Sequence, residues 1–385
     1  MMIKKILVVI GCLLLTGCYD YKEINTLAIL SATSIDYQDG EYMVVAQEIN
    51  PQAPDKTAVI QAPFFLYTGS GNSLQEAYRE ITTKSSKFLY SHHLQLLLIS
   101  ENVAKEKLDK ILDFYLRNPA IRTEFNVLLY KGDNPLDIIT PINDISSASI
   151  LETLETNMKY LGTSKEITFN EVVDNYLKKG EELVLPVIKV NNSKEDGNTI
   201  DNVNSSKVKE SYQLDNLAVF KDNKLVGYLD KEEALGYNYI KNNIKNTVLS
   251  YECEKDKYIT LEIVNSGSKI SSKKEKITIE IDVMGNINES ICSIDLEKEN
   301  NLKKIQEEMA RDFDKRIKGT IDNVIKEYNS DIYGFLDMIY KSDYDYYKKI
   351  KNDKNYLKKL EITVKSKVNI KSSGNLVEGI NEKDK

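Results

Sequence analysis

This 385-residue chain has no tryptophan, only two histidines and four cysteines. So few imidazole and thiolate ligands argue against a multi-metal enzyme. The 59 acidic residues leave a catalytic carboxylate pair of the glycosidase kind open, although sugar-binding sites usually also carry tryptophan. Glycine and proline, at 17 and 7 residues, are too few for a collagen, a disordered chain or a low-complexity protein.

An excess of positive charge is also missing. The 52 basic and 59 acidic side chains give a formal net charge of −7, so the chain lacks the basic footprint that a nucleic-acid partner requires. A mean hydropathy of −0.40 excludes a polytopic membrane protein. With 41% hydrophobic and 29% charged residues, the bulk has the composition of about two or three globular domains.

The one sustained apolar run lies at the start of the chain, where residues 6–15 follow Lys4 and Lys5. About ten helical residues span about 15 Å, half of the ~30 Å hydrocarbon core, so the run predicts a signal peptide rather than a transmembrane helix. The run ends in Leu-Thr-Gly-Cys, the pattern of a bacterial lipobox. We therefore predict a lipoprotein signal peptide over 1–17 and a diacylglyceryl thioether on Cys18, outside the cytoplasm. The alternative is a buried N-terminal strand that contains a cysteine by chance.

The mature chain divides at a stretch rich in Asn, Ser, Asp and Lys. This stretch, residues 191–210, predicts a linker, and all seven prolines lie at or before Pro186. We expect an N-terminal domain over 18–190, with a candidate subdivision near residue 145, and a C-terminal domain over 211–385. The predicted fold class is α+β, with an N-terminal mixed-sheet α/β part followed by a largely antiparallel sheet packed with a long helix.

A glycine-rich turn precedes one predicted helix of the first half. Ser73 and Glu76 fit a capping box at the start of that helix. Gly69 and Gly71 lie just before it, and a helix N-terminus can bind phosphate. The third glycine and the lysine of a phosphate loop are missing, so we favour an ordinary loop and cap.

Turn and helix signals place the other elements of the first half. Asp39-Gly40 predicts a hairpin turn. Apolar spacing predicts a helix over 103–117 and a helical stretch over 150–177 that breaks near Gly162.

The second half is predicted to contain a hairpin, several strands and one long helix. The hairpin covers 217–228, a turn at Gly285-Asn286 joins two later strands, and residues 360–371 alternate as a half-buried strand. The long helix would extend for about 40 Å. We expect its apolar stripe to pack on its own sheet rather than form a coiled coil with a partner. The stripe consists of Leu302, Ile305, Met309, Phe313, Ile317, Ile321, Val324 and Tyr328.

Motifs of catalysis such as His-Glu-x-x-His, Gly-x-Ser-x-Gly, Cys-x-x-Cys and the phosphate loop are missing, which argues against an enzyme and gives no cofactor or metal site to predict. The adjacent His92 and His93 would point to opposite faces of a strand, so we interpret them as structural. Cys253 and Cys292 fall in predicted strands of one sheet and would form either a disulfide or two small buried residues. The aromatic and acidic run 343–347 is either a contact patch or, as we favour, an ordinary loop and helix start.

The ordered set of these features resembles the Ger(x)C family of spore germination lipoproteins. The resemblance covers nearly the whole chain, although tyrosine stands at position 19 where many members carry tryptophan. It is carried by the lipobox with residues 17–25, the segments 91–101, 113–122, 217–229 and 330–335, and the closing alternating strand.

The resemblance implies a non-enzymatic subunit of a nutrient germinant receptor. Such subunits sit on the outer face of the spore inner membrane through a lipid anchor and assemble with integral membrane A-type and B-type subunits. Cys18 is the one functional residue that it carries over to this chain. Arg117 and Arg122 match family positions, and we interpret them as structural rather than ligand-binding residues.

Two other functions stay open. An extracytoplasmic solute-binding lipoprotein of a transporter would need two lobes of repeated βαβ type around a cleft, which the antiparallel second half disfavours. A membrane-anchored hydrolase is the weakest alternative, because no hydrolase motif is found.

Overall fold

The computed structural model describes residues 23, 26–50, 63–119, 121–132, 146–190, 212–292, 294–296 and 298–372. The predicted signal peptide, Cys18, the linker 191–210 and the tail after residue 372 lie outside the described residues.

Across the described ranges, the first sheet contains nine strands. Their bounds are β1 Leu27–Gln38, β2 Glu41–Ile49, β3 Phe64–Gly71, β4 Phe88–Tyr90, β5 Leu96–Ser100, β6 Asn126–Lys131, β7 Val184–Val190, β8 Tyr212–Lys221 and β9 Lys224–Tyr228. The spatial order is β3-β2-β1-β5-β6-β7-β8-β9, with β4 beside β1. The central strands β1, β5, β6 and β7 run parallel, and antiparallel strands flank them on both sides. The predicted mixed sheet is therefore confirmed.

Five helices of the described residues cover this sheet. They are α1 Leu74–Ile81, α2 Glu101–Glu106, α3 Leu108–Arg117, α4 Ser146–Tyr160 and α5 Phe169–Leu177. Helices α1, α3 and α5 bury their apolar faces in one core, and α4 buries Ile150 and Leu154 in a core that also contains buried residues of β5 and β6. A sheet with apolar cores on both faces explains why all five residues of β5 are buried.

Two helical predictions differ from the structure in detail. The single helix predicted over 103–117 is two helices, because Lys107 leaves the helical conformation between α2 and α3. The break predicted near Gly162 is confirmed: α4 ends at Tyr160, and Gly162 has a φ of +75°. That left-handed conformation favours glycine.

In the part of the chain that the structure describes, the second sheet contains four strands, β10 Thr247–Glu254, β11 Lys257–Lys273, β12 Lys276–Ser290 and β13 Glu361–Ser372. Its pairs are antiparallel except for β12 and β13, which are parallel. The turn predicted at Gly285-Asn286 is wrong, because both residues lie inside β12. A Cβ at Gly285 would be 2.7 Å from the carbonyl oxygen of Glu262, so the glycine permits close contact between strands rather than a turn.

Four helices of the described second half accompany this sheet, and their bounds are α6 Lys231–Ile240, α7 Glu299–Glu327, α8 Phe335–Ser342 and α9 Tyr344–Ile350. Helix α7 contains the predicted apolar stripe except for Tyr328, which is the C-terminal capping residue of the helix. Six of its side chains, from Ile305 to Val324, are buried in one core with the apolar residues of β11 and β12. The prediction that the stripe packs on its own sheet is confirmed, and so is the α+β fold class.

The hairpin β8–β9 joins the two halves. Its turn residues Asp222 and Asn223 both have positive φ, at 49° and 63°, as do Asp39 and Gly40 of the β1–β2 hairpin. Although β8 follows the predicted linker, it pairs with β7 and extends the first sheet. The described strands of that sheet therefore come from both sides of the predicted boundary.

Candidate functional site

Strand β8 contributes to the cores of both halves. Leu217 and Val219 lie in the core of the second sheet, and Ala218 and Phe220 lie in the core of the first sheet. Successive side chains of a strand point to opposite faces, so a continuous apolar run is buried on both. The contact region between the halves, which we call the seam, is therefore a packed region on both sides of β8.

Buried polar groups also cross the seam. The side-chain amide of Asn238 on α6 is fully buried and donates to the carbonyl oxygens of Gly162 and Ser164, at 2.7 and 2.9 Å. The hydroxyl of Ser330 donates to the carbonyl oxygen of Phe220 at 2.6 Å. Buried polar groups satisfied in this way fix one relative placement of their elements.

Asp331 is a buried hydrogen-bond acceptor in the segment between α7 and α8. Its carboxylate accepts the backbone N–H groups of Gly334, Phe335 and Leu336 at 2.8–2.9 Å and the hydroxyl of Tyr356 at 2.6 Å. Burial raises the pKa of Asp331, and these hydrogen bonds oppose the rise. The residue fixes the start of α8 to the 3₁₀ turn at Tyr356–Lys359.

A charged cluster lies at the same seam. Glu181 accepts from Lys178 and from Lys241, which follows α6, each at 2.5 Å, and Lys178 also lies 3.3 Å from Asp337 of α8. Burial by itself would raise the pKa of Glu181, but the two ammonium groups lower it. Lys165, whose ammonium is 5.8 Å from the Tyr237 ring, has its pKa lowered to about 8 by burial and by Lys241.

Sequence reasoning missed Asn238, Glu181 and Asp331. A usable signal exists for two of them: Asn238 interrupts the apolar run of α6, and Asp331 stands beside the apolar pair Ile332 and Tyr333 just before a helix. A polar residue inside an apolar run is often buried and hydrogen-bonded.

A groove lies between α1 and α3. It has a volume of about 670 Å³ and is lined by residues that include Leu74, Phe114 and Arg117. A smaller cavity of about 290 Å³ adjoins it and shares Phe114. Arg117 is exposed, and its Nε donates to both carboxylate oxygens of Asp113 at 2.8 Å.

The glycine turn before α1 contacts the helix directly. A Cβ at Gly69 would be 2.1 Å from the carbonyl oxygen of Ala77, and one at Gly71 would be 2.6 Å from the Cβ of Glu76. The side chain of Ser73 caps α1 by accepting from the amide of Glu76. Close packing of the strand on the helix therefore accounts for both glycines.

The histidines lie in a 3₁₀ turn, Ser91–His93, rather than on a strand. The prediction that they point to opposite strand faces is therefore wrong. His92 stacks on Tyr90 with ring centroids 4.5 Å apart, and His93 is 5.9 Å from the same ring. Within the described ranges, no group of three or more His, Cys, Asp or Glu could hold a metal ion.

The structure pairs Cys253, on the edge strand β10, with Cys292, which follows β12; their Cα atoms are 6.4 Å apart. This separation is within the range of a disulfide. Because β11 lies between β10 and β12, a disulfide between the two cysteines would join the edge strand to the end of a strand two places away.

Models of two spore germination domains match the chain. The "spore germination protein N-terminal domain" matches residues 20–190, and the "spore germination B3/GerAC like, C-terminal" domain matches residues 215–374. The chain belongs to this family of spore germination proteins. The matched ranges fall on the two sides of the predicted linker.

Relatives of the family align along most of their length. Spore germination protein KC of Bacillus subtilis (strain 168) is 29% identical over 387 residues, with 96% of this chain and 95% of the relative covered. Spore germination protein B3 of the same organism is 24% identical, with 88% and 89% covered. The crystal structure of the GerBC protein has a TM-score of 0.52 at 19% identity and covers 88% of this chain and 96% of its own, which shows a shared fold.

Family membership assigns the chain to spore germination, and the family names are those of germination proteins rather than enzymes. None of the helices within the described ranges is long and apolar enough to cross a membrane.

Proposed function

We propose that this chain is the lipid-anchored, non-enzymatic C subunit of a nutrient germinant receptor, on the outer face of the spore inner membrane. It would act through contacts with integral membrane subunits of A type and B type. The observation that carries the proposal is the match of both germination domains, in order, over residues 20–190 and 215–374.

The lipobox supports the anchor. The N-terminal germination domain starts at residue 20, two residues after Cys18. A diacylglyceryl group on this cysteine would add a binding free energy of about 0.8 kcal/mol for each CH₂ group buried in the bilayer. The chain would then be held at the membrane by its first mature residue.

The Cys18→Ala variant tests the anchor in spores of the native host. We expect this variant to leave the membrane fraction and the nutrient response to slow at least about ten-fold, because the lipid is the main attachment. Cys12→Ala, a matched change inside the signal peptide, should keep the wild-type location and response. Membrane retention and normal germination of the Cys18→Ala variant would contradict the proposal.

We also propose that Cys253 and Cys292 form a disulfide in the mature protein. Outside the cytoplasm such a bond can persist. When the unreduced protein is alkylated and analysed by mass spectrometry, both cysteines should remain unmodified. The double variant Cys253→Ser/Cys292→Ser should lose about 2–4 kcal/mol of unfolding free energy. Full alkylation without reduction would contradict the bond.

The groove between α1 and α3 is the one observation that favours the solute-binding alternative. Its volume of about 670 Å³ is in the range of small-molecule sites. The two sheets differ in strand number and direction, so the halves are not the repeated βαβ lobes that this alternative requires. Calorimetric titration of the purified protein with amino acids, sugars and nucleosides would decide, and micromolar affinity that is lost in Phe114→Ala would favour solute binding.

A further inference from the structure

Three tyrosine rings form a cluster at the junction of α8 and α9, in which two rings are exposed and Tyr347 is half-buried against the core of the second sheet. The ring centroids of Tyr340, Tyr344 and Tyr347 are 5.0–6.0 Å from one another. Tyr340 and Tyr344 keep 49% and 53% of their surface exposed, and the ammonium of Lys348 lies 4.5 Å above the Tyr344 ring. Large aromatic rings with half of their surface exposed bury little area in the core, and a cluster of them indicates an interaction site.

Positive charge is concentrated around this cluster. Residues 340–359 contain seven lysines and three aspartates, whereas the formal net charge of the whole chain is −7. On the two helices and at the end of α9, Lys341, Lys348, Lys349 and Lys351 are exposed. Residues 344, 348 and 351 are spaced by four and three, so they lie on one helical face. We call the three tyrosines and these four lysines the tyrosine–lysine patch.

We propose that the tyrosine–lysine patch binds the anionic phospholipid surface of the membrane, as a second contact beside the lipid anchor. Tyrosine rings favour the boundary between headgroups and acyl chains. Lysine side chains place their stems along the apolar boundary and their ammonium groups in water, among anionic headgroups. That this contact occurs at the spore membrane rests on the proposed function. The affinity for anionic lipid depends only on the residues of the patch.

The chemistry of the patch favours a lipid surface over an acidic protein. Lysine is depleted in protein–protein interfaces, where arginine is enriched, and residues 340–359 contain no arginine. Ammonium groups on flexible stems are point charges that suit a diffuse anionic surface, while planar guanidinium groups suit fixed bidentate partners. A lipid anchor alone leaves orientation free, and the patch would set which face of the protein meets the membrane.

Vesicle sedimentation tests the proposal with the chain from residue 18, which keeps every described element, carrying Cys18→Ala so that no lipid is attached. The probes are vesicles of phosphatidylglycerol with phosphatidylcholine and vesicles of phosphatidylcholine alone. Each lysine near an anionic surface contributes about five-fold to binding. We therefore expect Lys348→Ala/Lys349→Ala/Lys351→Ala to bind the anionic vesicles about 100-fold more weakly than wild type.

The matched control is Lys304→Ala/Lys315→Ala/Lys326→Ala, which removes three exposed lysines of α7 and makes the same change in net charge. It should bind like wild type. Equal losses in the two triple variants would overturn the proposal, because overall charge would then explain the binding. Failure of the wild-type chain to bind anionic vesicles would also overturn it and would leave an acidic protein as the partner.

Because the chain has no tryptophan, a single introduced indole reports on the patch itself. Tyr344→Trp should shift its fluorescence to shorter wavelength when anionic vesicles are added, and the shift should reverse at high salt. Tyr160→Trp, at a tyrosine that is 57% exposed on α4, should not shift. An unchanged spectrum of the Tyr344→Trp variant in the vesicle-bound protein would place the lipid contact elsewhere and overturn the proposal. None of these measurements uses germination or the lipid on Cys18, so they stand apart from the anchor experiment.

Discussion

At the scale of single residues, Asp331 connects the start of α8 to the 3₁₀ turn at Tyr356–Lys359 through its buried carboxylate. Its two carboxylate oxygens accept three backbone N–H groups and the hydroxyl of Tyr356. An apolar replacement would leave the amides of Phe335 and Leu336 and the hydroxyl of Tyr356 without this acceptor. Each unsatisfied donor costs about 1–3 kcal/mol. The carboxylate therefore stabilises the fold mainly because its removal would leave buried hydrogen-bond donors unsatisfied.

Asp331→Ala is expected to lower the unfolding free energy by about 3–5 kcal/mol. Asp331→Asn should recover only part of this, because one amide oxygen replaces two acceptors and the amide NH₂ would meet a donor. Urea denaturation followed by circular dichroism measures both. The control is Asp345→Ala, since the Asp345 side chain is 88% exposed, and it should change stability by less than about 0.5 kcal/mol. A loss for Asp331→Ala as small as the control's would contradict the role of the carboxylate.

At the scale of elements, apolar periodicity predicts α7 and β13, while one of the short turn signals is misleading. The stripe of α7 could be predicted because a long helix with one buried face leaves a repeated pattern. Gly285-Asn286 has the composition of a turn but lies within β12, because the requirement for glycine comes from the opposite strand and has no local signature. The actual turn between β11 and β12 falls where Lys274 has a φ of 55°.

The Gly285→Ala variant tests this explanation against Gly267→Ala on β11. The added Cβ at position 285 would lie 2.7 Å from the carbonyl oxygen of Glu262, whereas a Cβ at position 267 meets no atom within 4 Å. We expect Gly285→Ala to lower the unfolding free energy by about 1–3 kcal/mol through overpacking. Gly267→Ala should be neutral or stabilising by up to about 1 kcal/mol. Thermal melts of both proteins suffice, and equal melting temperatures would contradict the close contact at Gly285.

At the scale of the whole molecule, the described residues form two sheets, and the two faces of one strand, β8, lie in their two cores. Residues 191–210 and the last proline, Pro186, separate two stretches of different composition, yet β8, which follows them, pairs with β7 in the first sheet. The continuous apolar run at Leu217–Phe220 indicates that β8 is buried, since a strand that is apolar on both faces is usually covered on both. Which partners bury it depends on pairing between distant segments, and one sequence does not contain that information. The candidate site was missed for the same reason, because Glu181 and Lys241 meet only after this packing.

Lys165, in the charged cluster at the seam, makes the unfolding free energy depend on pH, and a single substitution can remove this contribution. The pKa of Lys165 is about 8 in the folded protein, below the usual 10.5, owing first to burial and then to Lys241, with Glu171 and Glu181 opposing the shift. Between these pH values the unfolded chain binds more protons than the folded one, so this lysine makes stability rise from about pH 8 to about pH 10.5. Below pH 8 its contribution is least favourable.

Lys165→Met keeps the length of the side chain and removes the charge. We expect the variant to be more stable than wild type at pH 7, by at most about 3 kcal/mol, since one pKa unit corresponds to about 1.4 kcal/mol. The advantage should shrink as the pH rises and vanish above about pH 10.5. Burial raises the pKa of Tyr237 in both proteins, so the difference between their urea midpoints isolates Lys165. Lys179→Met, at an exposed lysine of the loop after α5, should follow wild type at every pH. An advantage of Lys165→Met that stayed constant between pH 7 and pH 10 would show that packing, rather than the buried ammonium, causes it.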